Sequence, residues 1–148
     1  MTVAEAIVGM SSIFLDTAPL VYYLEDHPVY WPRMSQFMAA RATLGIVLVT
    51  SPVTLAECLV HPIRRELPDL EQQYLGVIVG GEGIRFQDLG RAESLEAAHL
   101  RARHGLRLAD AFQVAAAMSA GCDAILTNDK TLKRLDGIAV LVLDDFGP

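Results

Sequence analysis

The chain is short of cysteine, lysine and long apolar runs, and each shortage removes a class of protein. Its 2 cysteines, Cys58 and Cys122, are too few for a disulfide framework or a zinc site. Both sit in apolar helical or helix-end contexts and read as free buried thiols. No segment approaches the roughly 20 consecutive apolar residues of a transmembrane helix. The first nine residues lack a basic flank and contain Glu5, which argues against a secretory signal. The first eleven read as an extension ahead of the domain, disordered or non-native, with Met10 a candidate start. A cytoplasmic chain is expected. With 7 prolines and 20% charged residues, disorder is excluded on composition.

Lysine is the other scarce type. Of 12 basic residues only Lys130 and Lys133 are lysines, and the net charge is −6. Such a chain does not attract nucleic acid through its overall field. A local track is still available in Arg101, Arg103, Arg107, Lys130, Lys133 and Arg134, because arginine suits planar, bidentate contact with phosphate or carboxylate. The competing expectation is a solvated helix face paired with Glu93 and Glu96. His27, His61, His99 and His104 share no metal-ligand spacing and read as surface or helix-end residues.

What is abundant is apolar. At 148 residues and 52% hydrophobic content the chain can bury one core and is too short for two ordinary domains. With no repeat and no linker, a single domain over 1–148 is expected. Apolar strand runs, Ile13–Leu15, Ile46–Thr50, Ile84–Phe86, Ala124–Thr127 and Ala139–Leu143, alternate with helical stretches. Helices are expected over Pro19–Leu24, Tyr30–Ala42, a segment capped by Ser51-Pro52 that falters at His61-Pro62, Asp69–Val79, Arg91–His104, Ala109–Ala120 and Asp129–Leu135. That alternation indicates an α/β protein with a mainly parallel sheet flanked by helices. Among the aromatics near the first helices, Tyr22, Tyr23, Trp31 and Phe37, about half are expected in the core; an exposed remainder would mark a dimer or partner surface.

Four acids stand at telling places. Asp16 closes the first strand and Asp129 follows the strand Ala124–Thr127, where open α/β sheets put their chemistry. Glu57 and Asp110 lie within apolar helical stretches, where an ionised carboxylate needs a compensating partner. Each has a plainer role: Asp16 and Asp129 as helix caps, Asp110 as a first-turn charge paired with Arg107. Gathered at one edge they would repel one another, and with no evident protein cation beside them the expected partner is Mg²⁺ or Mn²⁺, which favour oxygen ligands.

In order and rough spacing, Ile13-Phe14-Leu15-Asp16-Thr17, Thr54-Leu55-Ala56-Glu57, Leu108-Ala109-Asp110-Ala111 and Leu126-Thr127-Asn128-Asp129 resemble the acidic motifs of the PIN-domain ribonucleases. The resemblance covers essentially the whole chain after Met10. It implies a three-layer α/β/α fold and a Mg²⁺- or Mn²⁺-dependent endoribonuclease with Asp16, Glu57, Asp110 and Asp129 as catalytic, metal-holding acids. Thr17 and Thr127 match supporting hydroxyls, and Arg103, Arg107 and Lys130 are the candidate RNA contacts. Many small proteins of this kind are VapC-like toxins, which implies a VapB-like antitoxin partner and a homodimer. A stand-alone PIN nuclease in RNA processing and an inactive PIN-like binding module are the alternatives. A haloacid-dehalogenase-type phosphatase wants a second Asp where Ala18 stands, and a receiver domain wants an acidic pair where Asp16-Thr17 stands.

Overall fold

A computed structural model describes residues 1–148. Five parallel strands form one sheet: β1 (Ser12–Leu15), β2 (Val47–Thr50), β3 (Ile84–Phe86), β4 (Ala124–Thr127) and β5 (Ala139–Val142), in the spatial order β3-β2-β1-β4-β5. The central strand is β1, with Phe14 opposite Val49 of β2 and Ile125 of β4. Side chains alternate across the pleat, so Ile13, Leu15, Leu48 and Leu126 enter one core while Phe14, Val49 and Ile125 enter the other. Strands buried on both faces explain why these runs are continuously apolar.

Seven helices cover the two faces: α1 (Val3–Ala6), α2 (Thr17–Leu24), α3 (Trp31–Leu44), α4 (Pro52–Arg64), α5 (Pro68–Gly80), α6 (Arg91–His104) and α7 (Leu108–Ser119). The first five contribute Val3, Leu20, Phe37, Cys58 and Tyr74 to the Ile13 core. On the opposite face, α6 and α7 supply Ala97, Leu100, Ala111, Val114 and Ala115–Ala117. The alanines let α7 lie close to the strands, and the result is a three-layer α/β/α fold.

Several boundaries differ from the sequence reading for physical reasons. The first eleven residues are built into the structure: Thr2 caps α1 through a capping box, and Val3 and Ile7 are wholly buried. α2 starts at Thr17, two residues ahead of Pro19, because the Asp16 carboxylate accepts the Thr17 N–H at 2.9 Å. α4 runs past Pro62, which lies in its last turn; Arg65 N still donates to His61 O at 2.9 Å, so little of the ladder is lost. Gly45 and Gly105, at φ 69° and 68°, end α3 and α6 in the left-handed conformation. Asp129–Leu135 is a 3₁₀ turn over Lys130–Arg134 capped by Asp129, and a second 3₁₀ turn, Leu143–Asp145, follows β5. Of the aromatics, Phe37 is buried, Tyr22 and Tyr23 are half-buried and Trp31 is exposed. No helix is long and apolar enough to cross a membrane.

Candidate active site

The chain leaves β1 toward β2 and β3 on one side and later fills β4 and β5 on the other. Strand order therefore reverses between β1 and β4, and the carboxyl ends of those two strands border the crevice that such a switch point opens. Asp16 and Asp129 follow those ends, and the strands are tied there by Asp16 N–H donating to Leu126 O at 3.0 Å. A cleft of about 490 Å³ occupies this edge, lined by Asp16, Thr17, Tyr22, Glu57, Arg107, Asp110, Thr127, Asn128 and Asp129 among others. All four acids expected from the sequence meet in it.

Two threonines organise three of them. Thr17 gives its N–H to Asp16 and its hydroxyl to Glu57 Oε1 at 2.8 Å. Thr127 donates its hydroxyl to Asp16 Oδ2 at 2.7 Å, and its oxygen accepts the Asp129 N–H at 3.0 Å. Asp129 in turn caps the 3₁₀ turn, accepting from the Thr131 N–H and hydroxyl at 2.9 and 2.7 Å. Burial pushes the Asp16 carboxyl above the usual aspartate range; the hydrogen bonds from Thr127 and Thr17 oppose this, while the charge of Asp110 adds to it.

Glu57 does not sit as its neighbours in sequence suggest. Its side chain is exposed, whereas adjacent Cys58 is buried in the core. Consecutive helical residues point about 100° apart, so apolar neighbours in sequence say little about a side chain's own surroundings. The desolvation argument for Glu57 fails; its place in the cleft follows from α4 starting at the same sheet edge.

Asp110 has a protein cation after all. Arg107 donates to it twice, from Nε to Oδ2 at 2.9 Å and from an Nη to Oδ1 at 3.4 Å. The expected pairing of the arginines with Glu93 and Glu96 is not found: Glu93 instead accepts from the Gly90 N–H and the Ser119 hydroxyl. Elsewhere on the basic track, Arg101 and Arg134 donate to the carbonyls of Leu106 and His104. Lys130 and Lys133 pair with Asp144 and Asp145. Arg103 is exposed.

The sequence reading passed over Gln113. This buried amide on α7 accepts the Ser51 hydroxyl at 2.5 Å and donates to Thr54 Oγ1 at 2.7 Å and, at 3.5 Å, to Asp16 Oδ1. Ser51 also caps α4. One side chain thus joins α7, the start of α4 and Asp16. Its signal was available: a lone amide in an alanine-rich, buried helix face must find partners. Asn128 is held as well, its carbonyl accepting the Asp144 N–H at 2.9 Å.

The donor set offers oxygen alone, which suits Mg²⁺ or Mn²⁺. As the side chains stand, no three His, Cys, Asp or Glu residues are close enough together to hold an ion. The chemistry of the acids therefore fits a hard cation, and their arrangement in this state is open, with a guanidinium beside Asp110.

A PIN-domain family model matches residues 13–138, and the chain belongs to the PIN-domain family, whose members are nucleases. No curated protein matches the chain. Among solved structures, the chain is similar to VapBC2 of Rickettsia felis bound to a promoter DNA fragment, at 17% identity and TM-score 0.71, over 88% of this chain and 97% of that one. FitAcB of Neisseria gonorrhoeae is similar at 20% identity and TM-score 0.68, over 88% and 97%. VapC20 of Mycobacterium tuberculosis, a sarcin-ricin loop cleaving toxin, is similar at 17% identity and TM-score 0.64, over 84% and 90%. At such identities the likeness is one of fold.

Proposed function

We propose that this chain is a Mg²⁺- or Mn²⁺-dependent endoribonuclease and the toxin of a VapBC-like pair. The observation that carries the reading is the meeting of Asp16, Glu57, Asp110 and Asp129 in one cleft at the switch point of the sheet. Four carboxylates that serve no common structural purpose fit the holding of a cation better than they fit capping alone. When bound, a divalent cation supplies positive charge for the scissile phosphate and acidifies water near it.

The residues of the chain supply the frame. Thr17 and Thr127 hold the Asp16 carboxylate in place at the cleft lining, between the ends of β1 and β4. Thr17 restrains Glu57, and Thr127 restrains the backbone at Asp129. Arg103, Arg107 and Lys130 are the proposed RNA contacts, which would fix the phosphodiester against the acids.

A VapB-like antitoxin and a homodimer are part of the same proposal. The solved complexes of similar fold support the first. Apolar surface left exposed at Val60 and Ile63 on α4, and at Trp31, supports a protein partner. A cytoplasmic location agrees with a toxin acting on cellular RNA. The test is cleavage of RNA by purified protein in Mn²⁺, with EDTA as control. Metal-dependent cleavage that Asp16→Asn abolishes is the expected result; equal cleavage by that variant overturns the mechanism. No cleavage in any metal would favour the inactive binding module.

A further inference from the structure

The cleft contains one cation of its own. Arg107 is the only basic residue lining it, and its hydrogen bonds all end on Asp110. The pair is asymmetric: the Arg107 side chain is 81% exposed, whereas that of Asp110 is 17% exposed. Asp110 is fixed in the first turn of α7, while Arg107 projects from the extended residue just before that helix (φ −60°, ψ 147°). The guanidinium is thus tethered at one end only. The other basic side chains of this edge are committed elsewhere, Arg101 and Arg134 to carbonyls and Lys130 and Lys133 to Asp144 and Asp145.

The position of the guanidinium is central as well. Besides Asp110, it shares the cleft lining with Asp16, Glu57 and Asp129. It stands among the acids to which a divalent cation would also be attracted. In this state no three of the acids are close enough to hold an ion, and the guanidinium offsets part of their charge. An exposed ion pair is weak, on the order of 1 kcal/mol or less, so it can offset part of the cleft's charge and still be displaced.

We propose that Arg107 is the resident counter-ion of the acidic cleft, competing with the divalent cation for Asp110, and that once displaced it turns to the substrate phosphate. The proposal rests on the reading of the cleft as a metal-dependent nuclease site. Arginine suits both positions, because carboxylate and phosphate present the same bidentate pair of oxygens to its planar fork. Displacement by the cation and capture of RNA are then linked: metal loading frees the group that binds the phosphate.

The experiment is calorimetric titration of Mn²⁺ into the metal-free full chain, comparing wild type, Arg107→Ala, Arg107→Gln and Arg103→Ala. Removing the competitor should tighten Mn²⁺ binding about three- to tenfold in both Arg107 variants, the range expected for losing a weak ion pair and its repulsion of the metal. Arg103 is exposed and lies outside the cleft lining, so its variant should shift affinity far less. Equal affinity in wild type and the Arg107 variants, or an equal gain in Arg103→Ala, overturns the competition. RNA cleavage at saturating Mn²⁺ tests the second half: Arg107→Ala should raise KM despite tighter metal binding, and unchanged kcat and KM would overturn substrate capture. Wild type that binds no Mn²⁺ at millimolar concentration would overturn the metal-site reading itself, an outcome distinct from binding that Arg107 does not affect.

Discussion

Under the proposed function, replacing Asp16 by Asn should separate chemistry from folding. The side chain keeps its shape and its cap, since Asn caps a helix about as well as Asp and can still accept the Thr17 N–H. What it loses follows from Thr127. That hydroxyl already accepts the Asp129 N–H, so its proton points at Asp16. An amide can offer its oxygen to Thr17 or to Thr127 but not to both in the present geometry. One hydrogen bond to a charged acceptor is therefore lost, worth about 1.5–3 kcal/mol.

Against this stands the cost of keeping the carboxylate ionised beside Asp110 with little access to water. The raised pKa of Asp16 says that burial outweighs the hydrogen bonds it receives. A carboxyl raised above its unfolded value contributes stability that is complete below the ordinary carboxyl range and is lost as pH rises through the folded pKa. At neutral pH the ionised form is thus a net liability, which opposes the cost of the lost bond. Because the two effects oppose each other, Asp16→Asn at pH 7 in EDTA should cost less than the lost bond alone, keeping Tm within about 4 °C of wild type for a chain of this size. As pH falls toward 4 the wild type should gain stability relative to the variant. Differential scanning calorimetry across pH 4–8 in EDTA measures both; a Tm loss of more than about 4 °C at pH 7, or a variant that gains on wild type on acidification, would refute the reasoning. With Mn²⁺ added, wild type should gain stability by mass action and the variant should gain less.

The remaining predictions concern the frame around the site. Gln113→Leu keeps the volume but leaves the hydroxyls of Ser51 and Thr54 without their buried partner; a loss of about 2–4 kcal/mol in urea unfolding is expected, and a loss below 1 kcal/mol would show that the network is dispensable. The Asp123 carboxylate accepts the N–H groups of Ser11 and Ser12 at 2.6 and 3.1 Å, which lowers its pKa. Its stabilisation is therefore present at neutral pH and lost as pH falls through the folded value. Because the group is exposed, Asp123→Asn should cost no more than about 1 kcal/mol at pH 7, converging with wild type in acid-unfolding curves. Burial, with the carboxylates of Glu57, Glu25 and Asp16 adding to it, pushes the Cys58 thiol up to about 12. Cys58 should resist alkylation at pH 8 in the native state and react only on unfolding, and rapid native labelling would contradict its buried place.

How much was legible in the sequence depends on the range of the interaction that decides each feature. The strands could be read because both cores bury them, so Ile13–Leu15 and Ala124–Thr127 carry no polar residue before their ends. Caps were legible for the same local reason: Ser51 before Pro52, Gly105 after His104. Glu57 shows the limit, since its apolar neighbours in sequence are on other faces of α4 and its carboxylate is exposed. Lys130 and Lys133 show it again. They read as free cations beside the cleft, but their partners, Asp144 and Asp145, come from the end of the chain and reach them only because β5 lies beside β4. Gln113 fell between the two cases: its burial was implied by the alanines around it, while its partners lie on α4 and at the end of β1.

These long-range pairings also bear on how an acidic chain could act on RNA. The cleft holds four carboxylates and one guanidinium, so in the state described here it repels phosphate, and the chain as a whole, at −6, does the same. With Lys130 and Lys133 matched by Asp144 and Asp145, the nearby surface does little to reverse that field. Under the proposed function the relief has to come from the site itself. A divalent cation among the acids would offset two of the negative charges and free Arg107 to face the phosphate in the same event, weakening the repulsion where the scissile phosphate must lie. RNA affinity should therefore depend on Mn²⁺ more steeply than on the surface arginines. Filter binding of RNA by a cleavage-inactive variant that keeps all four acids, with and without Mn²⁺, would show it; metal-independent binding of equal strength would place RNA recognition outside the cleft.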